Sequence, residues 1–165
     1  SGLVTKRNPL LLLKGMLPAY VTALGTSSSA ATIPVTLKAA RSNGVSEDVA
    51  DFVIPLCATV HLSGSTVKIT GMSMAILLLQ GQGVPLGLYT GFILMLGVTM
   101  VAAPGVPGGA IMAAVAILQT MLGFNPQAVA LMIAVYVAID SFGTACNVTG
   151  DGAIALVVDR WRGAR

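Results

Sequence analysis

Long apolar stretches with a few polar or Gly/Pro-rich breaks make up most of this chain. From Ile69 to Ile139 there is no charged residue. A helix that is apolar on every side shows little periodicity, so the length of each stretch and the residues that interrupt it predict the elements. Six apolar segments result, and together they predict an all-α membrane protein.

The first two segments predict a hairpin. Residues 8–25 and 34–41 are separated by a polar tip that includes Thr-Ser-Ser-Ser at residues 26–29. A helix needs about 20 apolar residues to cross a membrane, and each of these arms is shorter. Two arms that meet at a polar tip are typical of a re-entrant hairpin, which enters the membrane and returns to the same side. We place this hairpin at residues 8–41.

A second re-entrant hairpin is predicted at residues 86–122. Its arms, residues 86–101 and 110–122, flank the sequence Ala-Ala-Pro-Gly-Val-Pro-Gly-Gly at residues 102–109. Proline and glycine break helices, and broken backbone at membrane depth is tolerated only where it is buried in protein or lines a wet cavity. The tip of this hairpin is therefore a candidate binding site.

Each hairpin is followed by a longer element. An interrupted helix is expected at residues 47–80, because Ser46 and the two acids after it are typical of a helix start and residues 63–65 form a break. Asn125 and Pro126 open the last element, a long transmembrane helix expected to continue to residue 159.

The distribution of basic residues predicts which way the hairpins face. Cytoplasmic loops carry an excess of Lys and Arg, whereas the loops at residues 81–85 and 123–125 have none. The first hairpin should open to the cytoplasm and the second to the outside, which makes an inverted repeat whose tips converge near the membrane midplane. The basic residues are Lys6, Arg7, Lys14, Lys38 and Arg41 beside the first hairpin, and Arg160, Arg162 and Arg165 in the tail.

Composition supports a membrane protein and argues against other classes. Hydrophobic residues make up 55% of the chain and charged residues 9%, against about 25% charged in soluble domains. We therefore expect a multi-pass protein of the cell membrane, in contact with lipid. A net charge of +3 without a basic, aromatic-rich surface argues against a nucleic-acid partner. Cys57 and Cys146 lie in apolar runs and are expected to be buried.

Three motifs carry a resemblance to a known family. They are Ser-Ser-Ser-Ala-Ala-Thr-Ile-Pro at residues 27–34, Gly-Val-Pro-Gly at residues 105–108, and the last-helix pattern made by Asp140, Thr144, Asn147-Val148 and Gly150-Asp151. With them the chain resembles the dicarboxylate/amino acid:cation symporter family, also called sodium:dicarboxylate symporters, which have the glutamate-transporter fold. The resemblance covers essentially the whole chain and corresponds to the C-terminal part of the transport domain.

The resemblance implies an activity. The expected function is cation-coupled symport of a small carboxylate-bearing solute, an amino acid or a dicarboxylate, by an alternating-access elevator. Na+ is the expected ion and H+ the alternative. The family also implies a homotrimer assembled through N-terminal scaffold helices, which are absent from this chain. A fragment that binds without transporting, and a passive channel, remain as alternatives.

The resemblance also implies a site. Asp140 would hold the amino group of the solute, and Asn147 its carboxylate or amino end. Na+ would bind Asp151, Asn147 and the backbone of His61. An unpaired charge inside a membrane-spanning helix is costly, so an acid in such a helix is expected to have a function. This argument independently places the site at Asp140 and Asp151. The residues expected to contact the solute are Ser28, Ser29, Ser65, Val106, Gly108, Asp140, Gly143, Thr144 and Asn147.

Departures from the family pattern alter the expected specificity. Gly143 stands where acidic-substrate members have an arginine that pairs with the solute's side-chain carboxylate, so a neutral amino acid is favoured. Ser63 stands where the family has an acid, which predicts fewer coupled sodium ions. Lys68 is expected to supply a relocated cation, to pair with Asp140 or to extend to the membrane interface, and a relocated cation would restore a dicarboxylate preference.

Two further side chains leave alternatives open. His61 is expected to be hydrogen-bonded inside the protein, with a proton-linked role or, least favoured, a metal-ligand role as alternatives. The serines at residues 27–29 have no accompanying His-Asp pattern, and hydroxyls and backbone amides at a hairpin tip suit carboxylate binding better than nucleophilic attack. The chain is therefore not expected to be an enzyme.

Overall fold

A computed structural model describes residues 1–163, so the basic tail residue Arg165 lies outside the described residues. Within that range the chain is helical and has no β-strand, which confirms the expected all-α class. The helices of that range, in chain order, are α1 (Gly2–Thr5), α2 (Pro9–Thr26), α3 (Ser29–Ser42), α4 (Glu47–Val60), α5 (Ser63–Leu79), α6 (Leu86–Val101), α7 (Gly109–Leu122), α8 (Pro126–Ala138) and α9 (Asp140–Arg162).

Helices α2 and α3 pack against each other around the serine-rich tip. Asn8 caps α2 by accepting a hydrogen bond from the Leu10 amide at 2.9 Å. The chain reverses at Ser27, whose φ of 49° lies in the left-handed region, and Ser28 then caps α3 by accepting from the Ala31 amide at 3.1 Å. By length and composition α2 is able to cross a membrane, although we expected this arm to be too short.

Helices α6 and α7 form the second hairpin and pack along each other. The tip between them spans residues 102–108, as the Pro/Gly-rich sequence predicts. Gly108 ends the tip with a φ of 72°, a backbone conformation in which glycine avoids the strain of a side chain. Its amide is thereby free to donate a hydrogen bond outside the hairpin.

Helices α4 and α5 form the interrupted helix, which is one candidate membrane span over residues Glu47–Leu79. The interruption lies at His61 and Leu62, slightly before the expected position at residues 63–65. Both residues have non-helical backbone angles, φ −109° and ψ 87° at His61. Residues 63–65 instead make the first turn of α5.

The last element differs from the long helix that we expected at residues 126–159. It divides at Ile139 into α8 and α9, which are bent by 62° relative to each other. The Ile139 carbonyl accepts a hydrogen bond from Lys68 Nζ at 3.3 Å, and Asp140 directly after it contacts both Lys68 and the second hairpin. These interactions stabilise a break at which the sequence has no proline or glycine. The second half of the chain therefore has an interrupted helix, as the first half does.

Three clusters of buried apolar residues lie in two lobes, two clusters in the first and one in the second. In the first lobe α2, α3 and α4 pack around α9, with Met16, Ile54 and Leu156 among the buried residues. In the second lobe α5, α6, α7 and α8 pack together around Phe92 and Met132. Helix α9 also packs against α5, so the two lobes meet along these two helices.

Charged side chains join three elements at one end of the first lobe. Arg41 at the end of α3 pairs with Glu47 of α4 at 3.3 Å and contacts Asp51 as well. Arg162 near the end of α9 pairs with Asp48 of α4. The mouth of the first hairpin and the end of α9 therefore lie on the same side of the molecule, as the distribution of basic residues requires.

Candidate functional site

One face of α9 carries the polar residues of the candidate site. Asp140, Thr144, Asn147 and Asp151 follow one another at intervals of four, three and four residues, which places them on one side of a helix with about 3.6 residues per turn. All four are buried, Asp151 to 1% residual exposure. This face meets the start of α5 and the tips of the hairpins.

Asp140 is the point where three elements meet. Its Oδ1 accepts a hydrogen bond from Lys68 Nζ of α5 at 2.9 Å, and its Oδ2 accepts one from the Gly108 amide of the outer hairpin tip at 2.8 Å. It is also the first residue of α9. Of the alternatives for Lys68, the structure shows the pair with Asp140.

The ammonium of Lys68 lies beside Gly143. A Cβ placed on Gly143 would lie 2.8 Å from Lys68 Cε and 2.9 Å from Nζ, closer than such atoms pack. Lys68 Nζ also lies 3.6 Å from the centre of the Tyr136 ring, a distance typical of a cation–π interaction. The side chain of Lys68 is 11% exposed, so this cation is largely desolvated.

A short chain of hydrogen bonds ties α8, α5 and α9 together below this pair. The Tyr136 hydroxyl donates to Ser65 Oγ at 3.0 Å, and Asn147 Nδ2 donates to the same oxygen at 3.3 Å. Asn147 Oδ1 accepts from the Gly64 amide at 2.8 Å. Ser65 and Asn147 were expected in the site. Tyr136 was not, although a tyrosine inside an apolar helix usually has a partner for its hydroxyl.

The tips of the two hairpins touch. Ser28 Oγ donates to the Gly105 carbonyl at 2.9 Å, and the Ala30 amide donates to the same oxygen at 3.2 Å. A Cβ on Gly105 would overlap the carbonyl oxygen of Ala58 in α4. The outer tip therefore needs glycine at this position in order to lie against both the first hairpin and the interrupted helix.

Asp151 and His61 form a second polar pair on the same face of α9. His61 Nδ1 and Asp151 Oδ1 share a hydrogen bond of 2.7 Å, and the imidazole lies against Gly150. Asp151 Oδ2 is buried and has no hydrogen-bond partner among the described residues. The side chain of His61 makes this contact, and a role for the His61 backbone in binding Na+ stays a prediction.

Three expected residues stand apart from these contacts. Ser29 is buried as the first residue of α3, and Thr144 donates its hydroxyl to the Asp140 carbonyl within α9 at 3.2 Å. Val106 is 48% exposed on the outer tip. Cys146, expected to be buried, is exposed, whereas Cys57 is buried.

The arrangement can bind a charged solute and a cation. Asp140 and Lys68 offer an acid and an ammonium in a nearly dry site, and the tip contributes a backbone amide. The carboxylate of Asp151 and the side-chain amide oxygen of Asn147, one helical turn before it, are oxygen ligands of the kind that a hard cation prefers. An unpartnered buried carboxylate oxygen is costly, and a bound cation would relieve that cost.

Comparison with known proteins shows that the chain is similar to transporters of amino acids. Over 162 residues the chain is 36% identical to excitatory amino acid transporter 1 of Homo sapiens, covering 95% of the chain and 29% of that protein. It is 34% identical over 158 residues to excitatory amino acid transporter 4 of Mus musculus, covering 95% of the chain and 28% of the relative. An excitatory amino acid transporter of Caenorhabditis elegans is 32% identical over 155 residues, with 93% and 31% covered.

The chain thus spans less than a third of the length of these relatives. All three are named as transporters, which confirms the expectation that the chain is not an enzyme, and their kinship confirms a multi-pass membrane protein. The sequence profile of the sodium:dicarboxylate symporter family matches residues 1–161. The chain belongs to the sodium:dicarboxylate symporter family.

Proposed function

We propose that this chain is the solute- and ion-binding part of a sodium-coupled symporter that carries a small carboxylate-bearing solute. The observation that carries the proposal is the buried carboxylate of Asp151, whose Oδ2 has no hydrogen-bond partner among the described residues. Asp151 lies about three helical turns from Asp140, on the same face of α9. The ion and the solute would therefore bind one continuous polar stripe.

Sodium would bind to Asp151, with Asn147 and nearby backbone carbonyls as further oxygen ligands. Removing the partner of a buried charge costs roughly 3–5 kcal/mol, so a closed site that buries an unneutralised Asp151 is unfavourable. A bound cation removes most of that cost and shifts the population towards the closed state. Coupling follows because closure requires both ion and solute.

The solute would lie between the hairpin tips and α9. Asp140, Thr144 and Asn147 supply polar groups from the helix, and Ser28 and the Gly108 amide supply them from the tips. The expectation of a neutral amino acid rested on the loss of an arginine at Gly143. It stays a prediction, and the position of Lys68 in the adjacent volume weighs against it.

The remaining expectations concern the whole protein. Movement of this part as an elevator, assembly as a homotrimer and the presence of scaffold helices stay predictions. Family membership supports these three predictions. The chain covers under a third of the length of its relatives, and the scaffold helices would lie in the remaining part. A binding fragment without transport is the alternative that uptake measurements exclude.

Uptake into liposomes tests this function. The protein at its full natural length is reconstituted, and uptake of labelled L-aspartate, succinate and L-serine is followed with and without an inward sodium gradient. Accumulation that requires the sodium gradient supports the proposal. Accumulation driven by a proton gradient alone, or none of any solute, would overturn sodium-coupled transport.

The role of Asp151 is tested with a matched pair of variants. We expect Asp151→Asn to reduce the sodium dependence of uptake by about tenfold or more, because the amide removes the charge that attracts the cation. Asp159→Asn changes an acid on the same helix that lies at the surface and accepts from Ser46, and it should leave sodium dependence unchanged. Equal sodium dependence in Asp151→Asn and the wild type would contradict the assignment.

A further inference from the structure

We propose that the side chain of His61 is a positioning residue for the cation site at Asp151. Its ring nitrogen Nδ1 holds Asp151 Oδ1, so that Oδ2 alone is presented to the ion. The inference rests on the proposed binding of sodium at Asp151, and it adds the group that orients the carboxylate. This role of the imidazole is separate from any contact between the His61 backbone and the ion.

The first support is the difference between the two carboxylate oxygens. Asp151 Oδ1 shares a hydrogen bond of 2.7 Å with His61 Nδ1, whereas Oδ2 has no hydrogen-bond partner among the described residues. An ionised carboxylate only accepts hydrogen bonds, so in a cation-bound site Nδ1 is the donor. The imidazole therefore occupies one oxygen and leaves the other for the ion.

The second support is the way the imidazole is held. His61 lies at the break between α4 and α5, and its amide donates to the Cys57 carbonyl at 2.8 Å. A Cβ on Gly150 would lie 2.4 Å from His61 Cε1 and 3.3 Å from Nε2, so the ring occupies space that a glycine leaves open. Backbone of α4 and of α9 thus fixes the ring beside the carboxylate.

The third support is the cost of ordering a ligand. A carboxylate that is free to turn must be ordered when it binds an ion, and this ordering weakens the affinity. A hydrogen bond to the ligating group removes that cost, and loss of such a bond typically reduces metal affinity by about 10–100-fold. Asp151 is 1% exposed, so bulk water is a poor substitute for the imidazole. The orientation of Oδ2 therefore depends on His61.

Equilibrium binding of radiolabelled Na+ to the purified full-length protein tests the inference without transport and without solute. The matched variants are His61→Leu and His61→Asn, whose side chains have the same branched shape and both lack the ring. The asparagine side chain carries an N–H donor as many bonds from Cα as histidine Nδ1, and leucine carries none. The difference between the two variants therefore reports the hydrogen bond and not the lost packing of the ring.

We expect the sodium dissociation constant to rise about tenfold or more in His61→Leu and to stay within about threefold of wild type in His61→Asn. Gly150→Ala displaces the ring and should also weaken sodium binding. In a chain that already carries His61→Asn, which has no Cε1 to overlap, Gly150→Ala should have little further effect. Gly71→Ala, whose Cβ meets no atom within 4 Å, is the control and should bind sodium as the wild type does.

Weak sodium binding in His61→Leu together with near-wild-type binding in His61→Asn supports the proposal. An equal loss in both variants overturns it, because the packing of the ring and not its hydrogen bond would then matter. Unchanged or tighter binding in His61→Leu also overturns it, since the imidazole would then have no part in the site or would compete with the ion. A wild-type protein that binds no sodium counts against the proposed function, whereas a failure confined to the variants counts against the role of His61 alone.

Discussion

At the scale of single residues, the site depends on close packing between residues of neighbouring helices. Gly143 of α9 and Lys68 of α5 lie so close that the absence of one side chain makes room for the other. A substitution at either position therefore acts on both. The effect of a change at Gly143 is predictable only if the identity of residue 68 is stated with it.

This dependence predicts the behaviour of an arginine at residue 143. Gly143→Arg should lower the apparent melting temperature in detergent, because it overlaps Lys68 and adds a like charge beside it, at a cost of about 1–3 kcal/mol. Gly143→Ala should cost less, since only the flexible end of Lys68 has to shift. Adding Lys68→Met to Gly143→Arg should restore stability. A double variant no more stable than Gly143→Arg would contradict this.

Two variants of Tyr136 distinguish the contribution of its hydroxyl to stability from that of its ring. Tyr136→Phe loses the hydrogen bond to Ser65 and should destabilise the protein by about 1 kcal/mol. Tyr136→Leu also removes the ring under Lys68 and should cost more, through lost packing and the lost cation–π interaction. Thermal melting of the two variants compares them. Equal melting temperatures would mean that the ring contributes nothing beyond its hydroxyl.

Most of the residues that meet in the candidate site could be predicted from the sequence. Which of these residues contact each other could not. Asp140, Asn147, Ser28 and Gly108 were expected and lie at the junction of the hairpins and α9. For Lys68 the sequence left three alternatives, because its partner is 72 residues away. Tyr136 was missed because a single tyrosine in an apolar helix is most simply a packing residue.

At the scale of elements, the outer hairpin is held by its backbone. The Gly105 carbonyl accepts from Ser28 and Ala30, and the Gly108 amide donates to Asp140. Main-chain groups of the tip are therefore bonded to the first hairpin and to α9. A tip fixed in this way can open only by breaking several hydrogen bonds together, so its position is sensitive to any side chain added at the contact.

Gly105→Ala tests that sensitivity. Its Cβ would overlap the Ala58 carbonyl, so we expect the outer tip to move away from α4 and become more accessible to proteases. Gly97→Ala in α6 is the control, since its Cβ meets no atom within 4 Å and alanine is the better helix former by about 1 kcal/mol. If proteolysis of the Gly105→Ala tip matched that of the control, the close approach would not hold the tip.

The elements also show where sequence patterns fail. Glycine, proline and serine marked both hairpin tips, and Asn125 with Pro126 marked the start of α8. The bend at Ile139 follows the apolar helix α8, which has no proline or glycine near its end. The sequence around Ile139 therefore gives no signal that predicts the bend. It arises from Lys68, Gly108 and Asp140, which are brought together only by tertiary packing.

At the scale of the whole molecule, the site lies where two lobes meet. Asp140 and Asn147 belong to the first lobe, whereas Lys68, Ser65 and Tyr136 belong to the second. Each lobe has its own buried apolar residues, and α5 and α9 pack against each other between them. The polar contacts between α5 and α9 are the ones that such a shift would change.

The predicted orientation of the two halves is also a property of the whole molecule. In a background with Cys57→Ser and Cys146→Ser, we expect Ser42→Cys to react with a membrane-impermeant thiol reagent only from the cytoplasmic side. Gly83→Cys, in the exposed loop before α6, should react only from the outside. Labelling of both positions from one side would contradict the inverted arrangement of the hairpins.

The pair of Lys68 and Asp140 has a consequence for the rate at which the site empties. A solute ammonium that binds Asp140 competes with a tethered ammonium whose effective concentration is on the order of millimolar or higher. The measured affinity for the solute is then the intrinsic affinity multiplied by the fraction of molecules in which Asp140 is not paired with Lys68. In the proposed symporter, Lys68 would return to Asp140 when the solute leaves. Lys68 would thus act as a tethered competitor of the solute ammonium, which would limit how tightly the solute is retained and speed its release.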